Sequence, residues 1–464
     1  MDIPKLDSRK KILFADDKKS FDEAKNTFLE NVEGEYRSGD TDSAIRSLVD
    51  MSIDLHSFLT EWKLDRWISP LHKENFIKSC LNILDKWKAE EALNEIYSEA
   101  NDIKNCRMAQ LSRKTLSKEL NVYWGHDKCD EIDYSLRRGA SFTTSNPGKI
   151  NNYRLDHPEH WNTILKEVLS SGGQGLSDSE VLSKMTFKIV SIMANYMRPI
   201  FDSTGGQYGF SSIQVDPRKW DDSQAMVDEI IFWYESFREE LKTKTPNITF
   251  KVPATPAAVA ASEIICSEYA KIRLCATSCF SLKQQSEFYE VFKNRNPAGL
   301  LVIVDVHLRT FSKPEFEALG VKDVEKYCEL LVSQIYSKSY QQLRQKGLDI
   351  QLNGAGIRDS QGVKNNLTSD MALPVTFTIM PEVVREFNKN KIDLVDSIIS
   401  KASKEEMKIL ESSKIFKQAY YEDAFPWEEI NSFPPYSFMM DAFIESYNKC
   451  LEAIKSFRDK EVTK

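Results

Sequence analysis

The chain contains no run of about 18 apolar residues, so no segment reads as a membrane-spanning helix. Its opening, Met1-Asp2-Ile3-Pro4-Lys5, lacks the apolar core of a secretory signal, and a cytoplasmic location is the expectation. Positive charge is also scarce. The 62 Lys and Arg residues against 70 Asp and Glu leave a net charge of −8, which provides no electrostatic footprint for nucleic acid, so any phosphate must be met by a local site. The eight cysteines (80, 106, 129, 266, 275, 279, 328 and 450) form no CxxC pair and have no histidines at zinc spacing. That pattern indicates neither a disulfide framework nor a structural metal, and the cysteines read as reduced thiols. No Gly-x-Gly-x-x-Gly follows a strand-like run, which weighs against a dinucleotide fold. No fixed-period repeat suggests a solenoid.

At 464 residues, 41% of them hydrophobic and 28% charged, the chain suits one large globular domain plus a smaller one. From Phe21 to about Leu120 the apolar residues recur at helical spacing, as in Ala44-Ile45, Leu48-Val49, Ile53, Leu55 and Phe58-Leu59. This predicts an all-helical segment over 1–118, either a docking or oligomerisation module or a layer packed on the main domain. From 119 to 464 the pattern changes to short β-rich runs separated by helical stretches, the alternation of parallel β/α units. Candidate strands are Asn121–Trp124, Ser141–Thr144, Ser212–Val215, Thr249–Val252, Arg273–Thr277, Leu300–Val306, Asp349–Leu352 and Pro374–Ile379. Amphipathic stretches such as Ala225–Leu241 and Val321–Arg344 supply outer helices. Eight strands predict a (β/α)8 barrel, although the spacing also fits an open doubly wound sheet.

Lys251 stands in the run Asn247-Ile248-Thr249-Phe250-Lys251-Val252-Pro253, a lysine on an otherwise apolar strand. Burial of a charged ammonium is costly, so such a site favours the neutral amine, the form that attacks ketones. Upstream lie Thr143-Thr144-Ser145-Asn146-Pro147 and the block from Arg198-Pro199-Ile200-Phe201-Asp202 through Ser211-Ser212-Ile213-Gln214-Val215-Asp216-Pro217-Arg218. Together, in this order, the three runs resemble the transaldolase family, particularly its longer bacterial branch, from about Asn121 to the C-terminus.

The resemblance implies a (β/α)8 barrel that needs no metal or cofactor. It assigns Lys251 as the Schiff-base nucleophile, Asn146 as a hydrogen-bonding partner of substrate hydroxyls, and Thr277 as a residue that holds a catalytic water. Arg309 and Arg358 align with the two arginines that grip the sugar phosphate, a role suited to planar guanidinium forks. Sugar-phosphate substrates follow, and a homo-oligomer is possible. There are departures. The acid/base aspartate of the first strand falls on Gly125, with His126 or Asp127 as substitutes if the strand end shifts. The glutamate of the third strand is Gln214, which orients water but cannot shuttle a proton itself; related fructose 6-phosphate aldolases carry glutamine there. Cys275, Val304 and Gly356 replace a family asparagine and two serines. The expected activity is a lysine Schiff-base transferase moving a three-carbon dihydroxyacetone unit between sugar phosphates. The alternatives are an aldolase that releases the ketone, or a barrel that has lost turnover and serves as a scaffold.

Overall fold

The computed structural model describes residues 3–62, 69–389 and 393–462. Eight parallel strands close into a barrel in sequence order: β1 (Val122–His126), β2 (Phe142–Thr143), β3 (Ser211–Gln214), β4 (Ile248–Pro253), β5 (Arg273–Cys279), β6 (Leu300–Val304), β7 (Gln351–Ala355) and β8 (Val375–Ile379). The ring shuts where β1 pairs with β8 over five residues, from Val122 opposite Val375 to His126 opposite Ile379. This closure excludes the open sheet. Helices such as Ser223–Glu240 and Val324–Lys346 form the outer ring at the predicted places.

Strand alternation sorts side chains between lumen and helix layer. On β1 the Trp124 indole donates to Ser112 Oγ at 2.9 Å and the His126 ring bonds Ser135 Oγ at 2.8 Å, both on the outer side. Tyr123 faces inward and stacks on Tyr208 with ring centroids 3.8 Å apart. On β4 the same rule turns Thr249 and Lys251 toward the lumen.

Helices within residues 3–105 precede the barrel and share one apolar core with it, while the helix Arg107–Leu116 packs with β1 and β8 in a second core. A buried ion-pair cluster ties the two parts together. Asp54, on the helix Thr41–His56, accepts from Arg9 Nε at 2.7 Å and from Arg137 Nε at 2.8 Å, and Arg137 lies just after the short helix Ile132–Leu136 that follows β1. At the opposite end of the chain, the helix Pro434–Val462 lays Met439 and Phe443 against the barrel cavity. Among the described residues no helix is long and apolar enough to cross a membrane.

The turn into β3 depends on Gly209. Its φ is +85°, and a Cβ there would lie 2.2 Å from the Phe201 backbone nitrogen. Its carbonyl also accepts from Asn247 Nδ2 at 2.8 Å, so the segment has little room to move. Gly209→Ala is expected to cost about 3 kcal/mol from combined left-handed strain and overpacking. A urea titration should show the lowered midpoint with an unchanged slope.

Candidate active site

Lys251 lies on the lumen face of β4 and is 7% exposed. Its Nζ donates to Thr144 Oγ1 and to the Ser145 carbonyl, both at 3.2 Å. These acceptors are neutral. Burial pulls the lysine pKa below its ordinary 10.5, and the opposing pull of Cys275 and Asp127 does not restore it. A lowered pKa favours the neutral amine, the form that attacks a carbonyl.

Around it is a cavity of about 180 Å³ that runs along the lumen and reaches the C-terminal ends of the strands, where barrel active sites form. Asp127, immediately after β1, is the one carboxylate that lines it among the described residues. Asp127 Oδ2 pairs with Lys149 Nζ at 3.2 Å, both side chains being largely buried. Lys149 sits in the first turn of the helix Pro147–Asp156, which Asn146 caps by accepting from the Lys149 backbone N–H at 2.9 Å. Thr277 enters from β5, and Cys275 stands in register opposite Lys251. Burial pushes the Cys275 thiol up to about 11, so it is protonated at neutral pH.

The mouth carries one arginine of the expected two. Arg358 lines the cavity and is exposed, its only hydrogen bond among the described residues a 3.3 Å contact from Nη1 to the Ile357 carbonyl. His307 lines the same wall. Burial, reinforced by the Arg358 charge, pulls its imidazole down to about 4, leaving it neutral near pH 7. Arg309 is not brought there. β6 ends at Val304 and a helix begins at Asp305, so Arg309 lies about 200° around the helix from His307. Its guanidinium pairs with Asp305 and, at 2.8 Å, with Asp359 Oδ2, which braces the loop bearing Arg358.

The two other uncertain positions also separate. His126 faces away from the lumen, held by Ser135 Oγ and the Asp130 carbonyl, whereas Asp127 faces in. Gly125 cannot simply acquire a side chain, since a Cβ there would lie 2.5–2.7 Å from ring carbons of Phe142. Gln214, although in register with Lys251, lines a smaller adjoining cavity of about 30 Å³ with Asp216, Glu229 and Tyr447. Its Oε1 has no hydrogen-bond partner among the described residues, and the space is enough for about one water. Sequence reasoning missed Lys149 and His307. The first looks like any lysine in a first helical turn, and the second reads as a strand-end residue until β6 is seen to stop.

A closed parallel barrel with a buried lysine on its fourth strand is accompanied by a match to the family model described as transaldolase/fructose-6-phosphate aldolase, over residues 128–431. The chain belongs to that family. It is similar to transaldolase 1 of Streptomyces avermitilis, 26% identical over 194 residues that cover 41% of this chain and 42% of the relative. The transaldolase of Campylobacter jejuni strain 81-176 is 28% identical over 184 residues, 37% of this chain and 50% of its own. That of Acidothermus cellulolyticus reaches 30% over 120 residues, 26% of this chain and 30% of its own. The chain thus spans about half, or less, of the length of the curated relatives it matches.

Proposed function

We propose that the protein is a transaldolase-type transferase that moves a dihydroxyacetone unit between sugar phosphates through an imine on Lys251. The observation that carries this reading is the buried amine, bonded only to neutral oxygens, in a cavity whose mouth bears an arginine without a carboxylate partner among the described residues.

The ketose enters with its phosphate at Arg358 and its C2 carbonyl at Lys251. The neutral amine adds to C2; the carbinolamine takes up a proton and loses water to give the iminium. That cation draws in the electron pair of the C3–C4 bond as it breaks, while the C4 hydroxyl proton passes to Asp127. The shortened aldehyde leaves and an enamine remains. Addition of the enamine C3 to an acceptor aldehyde returns the proton, and water hydrolyses the new iminium. Asn146 and Thr277 lie beside the path of the substrate hydroxyls and the hydrolytic water, and Lys149 holds the Asp127 carboxylate in place. Gln214 acts from the adjoining cavity, where its Oε1 accepts from one water.

Met439 and Phe443 favour transfer over simple cleavage. Apolar side chains over the cavity keep water from protonating the enamine, the step that would release free dihydroxyacetone. Borohydride reduction in the presence of fructose 6-phosphate, followed by peptide mass analysis, tests the assignment. The expected adduct is a reduced three-carbon unit on the peptide containing Lys251. No adduct at saturating substrate would leave the barrel as a scaffold, and free ketone formed at an equal rate with and without acceptor aldehyde would make it an aldolase.

A further inference from the structure

Among the described residues four arginines are buried: Arg9, Arg137, Arg138 and Arg273. Three are ion-paired, Arg9 and Arg137 to Asp54 and Arg138 to Glu99 and Asp102. Arg273 is not. It opens β5, is 5% exposed, and lines the lumen cavity at the N-terminal end of the strand. Its Nε donates to the Ala298 carbonyl at 3.0 Å and its Nη2 to Gln351 Oε1 at 2.5 Å, and its guanidinium carbon lies 4.3 Å from the Phe210 ring centroid. All of these partners are uncharged. The titratable groups that act on the guanidinium are Cys275 and Tyr208. Burial pushes the thiol up to about 11 and raises the phenol as well, so both are protonated at neutral pH. Burial also lowers the Arg273 pKa to about 10, which leaves it a cation there. Among the described residues this desolvated charge has no negative partner, an unfavourable state that an anion would relieve.

The groups around it suit the same ligand. Thr249, its register partner on β4, is more than nine-tenths buried and lines the cavity, and its Oγ1 has no hydrogen-bond partner among the described residues. Gln351, equally buried at the start of β7, gives its Oε1 to Arg273. The amide orientation is fixed, because a guanidinium only donates and must meet the oxygen. Gln351 Nε2 and Arg273 Nη1 are then donors without an acceptor among the described residues. The next polar side chain up β7 offers nothing to them, since Asn353 Oδ1 accepts from Thr376 Oγ1 at 2.7 Å. What remains is three donors, one of them on a cation. A water molecule among them would leave the charge uncompensated, whereas an anion accepts from all three.

We propose that this end of the lumen binds a small monovalent anion of halide size, accepting from Arg273 Nη1, Gln351 Nε2 and Thr249 Oγ1. One guanidinium matches one negative charge. The cavity totals about 180 Å³ along the lumen, so a compact anion suits one end of it. The site is separate from the imine chemistry. Lys251 is not among the groups that act on Arg273, and the anion is expected whether or not Lys251 reacts with a ketose.

The test soaks crystals of the wild-type protein in sodium bromide and locates bromide by its anomalous scattering, while melting curves follow the same titration in solution. Sodium gluconate replaces bromide at constant ionic strength, which separates binding from screening because gluconate is too bulky for the site. A bromide in contact with Arg273 is expected, together with a saturable rise in melting temperature of roughly a few degrees, as for any ligand that binds only the folded state. Both signals should vanish in Arg273→Met. Thr249→Val keeps the branched shape and removes one neutral donor, so it should weaken binding roughly 2- to 10-fold. Wild-type crystals without bromide at Arg273, or a melting response that Arg273→Met retains, would overturn the proposal. Bromide in the crystal without a saturable response in solution would also overturn it, as binding at crystal concentration only. If Arg273→Met fails to fold, an undiminished response in Thr249→Val rejects the site and a weakened one supports it.

Discussion

Lys251→Ala is expected to abolish the borohydride-trapped adduct and to lower turnover by roughly 10⁴-fold or more, since removal of a covalent nucleophile eliminates the pathway and leaves only the contribution of binding. Folding should survive, because the substitution removes two hydrogen bonds to neutral acceptors and leaves no unpaired charge. A melting curve on the same preparation checks this. The pH dependence supplies a second readout. Imine formation uses the neutral amine, whose fraction rises as pH climbs through the pKa of the folded site. Burial lowers that pKa from 10.5, outweighing the attraction of Asp127 and Cys275. The initial trapping rate should therefore reach half its maximum below pH 10.5. A midpoint at or above that value would mean that the ammonium is not desolvated, and the argument from burial would fail.

The barrel was legible because β-rich runs and charged amphipathic helices alternate eight times, and each run in the sequence overlaps a strand. The ends were less legible, and the active site is built from ends. Leu300–Val306 reads as one β-rich run, yet Asp305 starts a helix, so period-2 spacing gives way to 3.6 and His307 takes the lumen position instead of Arg309. On β1 the alternation itself decides between His126 and Asp127: Tyr123, Gly125 and Asp127 share the inner face. Which face is inner is fixed by Trp124, which points outward to Ser112 through a contact 12 residues away in sequence. Arg273 reads in the sequence as an ordinary first residue of a strand, because no local pattern distinguishes a cation entering the lumen from one turned to solvent. Met439 and Phe443 come from a helix almost 190 residues after Lys251, a contact set by tertiary packing alone.

Asp127→Asn is expected to reduce kcat by roughly 10²–10⁴-fold, the usual value of one positioned proton-transfer group, while the Lys251 adduct still accumulates. Asparagine keeps the shape and can still accept from Lys149, so a loss confined to turnover would report proton transfer and not collapse of the pair. The effect should appear in single-turnover cleavage, where product release plays no part. The alternative site for the carboxylate, Gly125, predicts the reverse: installing Gly125→Asp with Gln214→Glu would then restore activity. The structure argues against such a gain. A Cβ at 125 runs into Phe142 at 2.5–2.7 Å, and the carboxyl of Gln214→Glu would join Asp216 and the partly buried Glu229, whose own pKa is raised chiefly by burial. Like charges and burial hold such a group protonated and in the adjoining cavity, away from the substrate. The double variant should therefore be destabilised and no faster with fructose 6-phosphate and erythrose 4-phosphate. A rise in rate of about 10-fold or more in a folded double variant, together with an unaffected Asp127→Asn, would move the proton-transfer role from Asp127 to the Gly125 position.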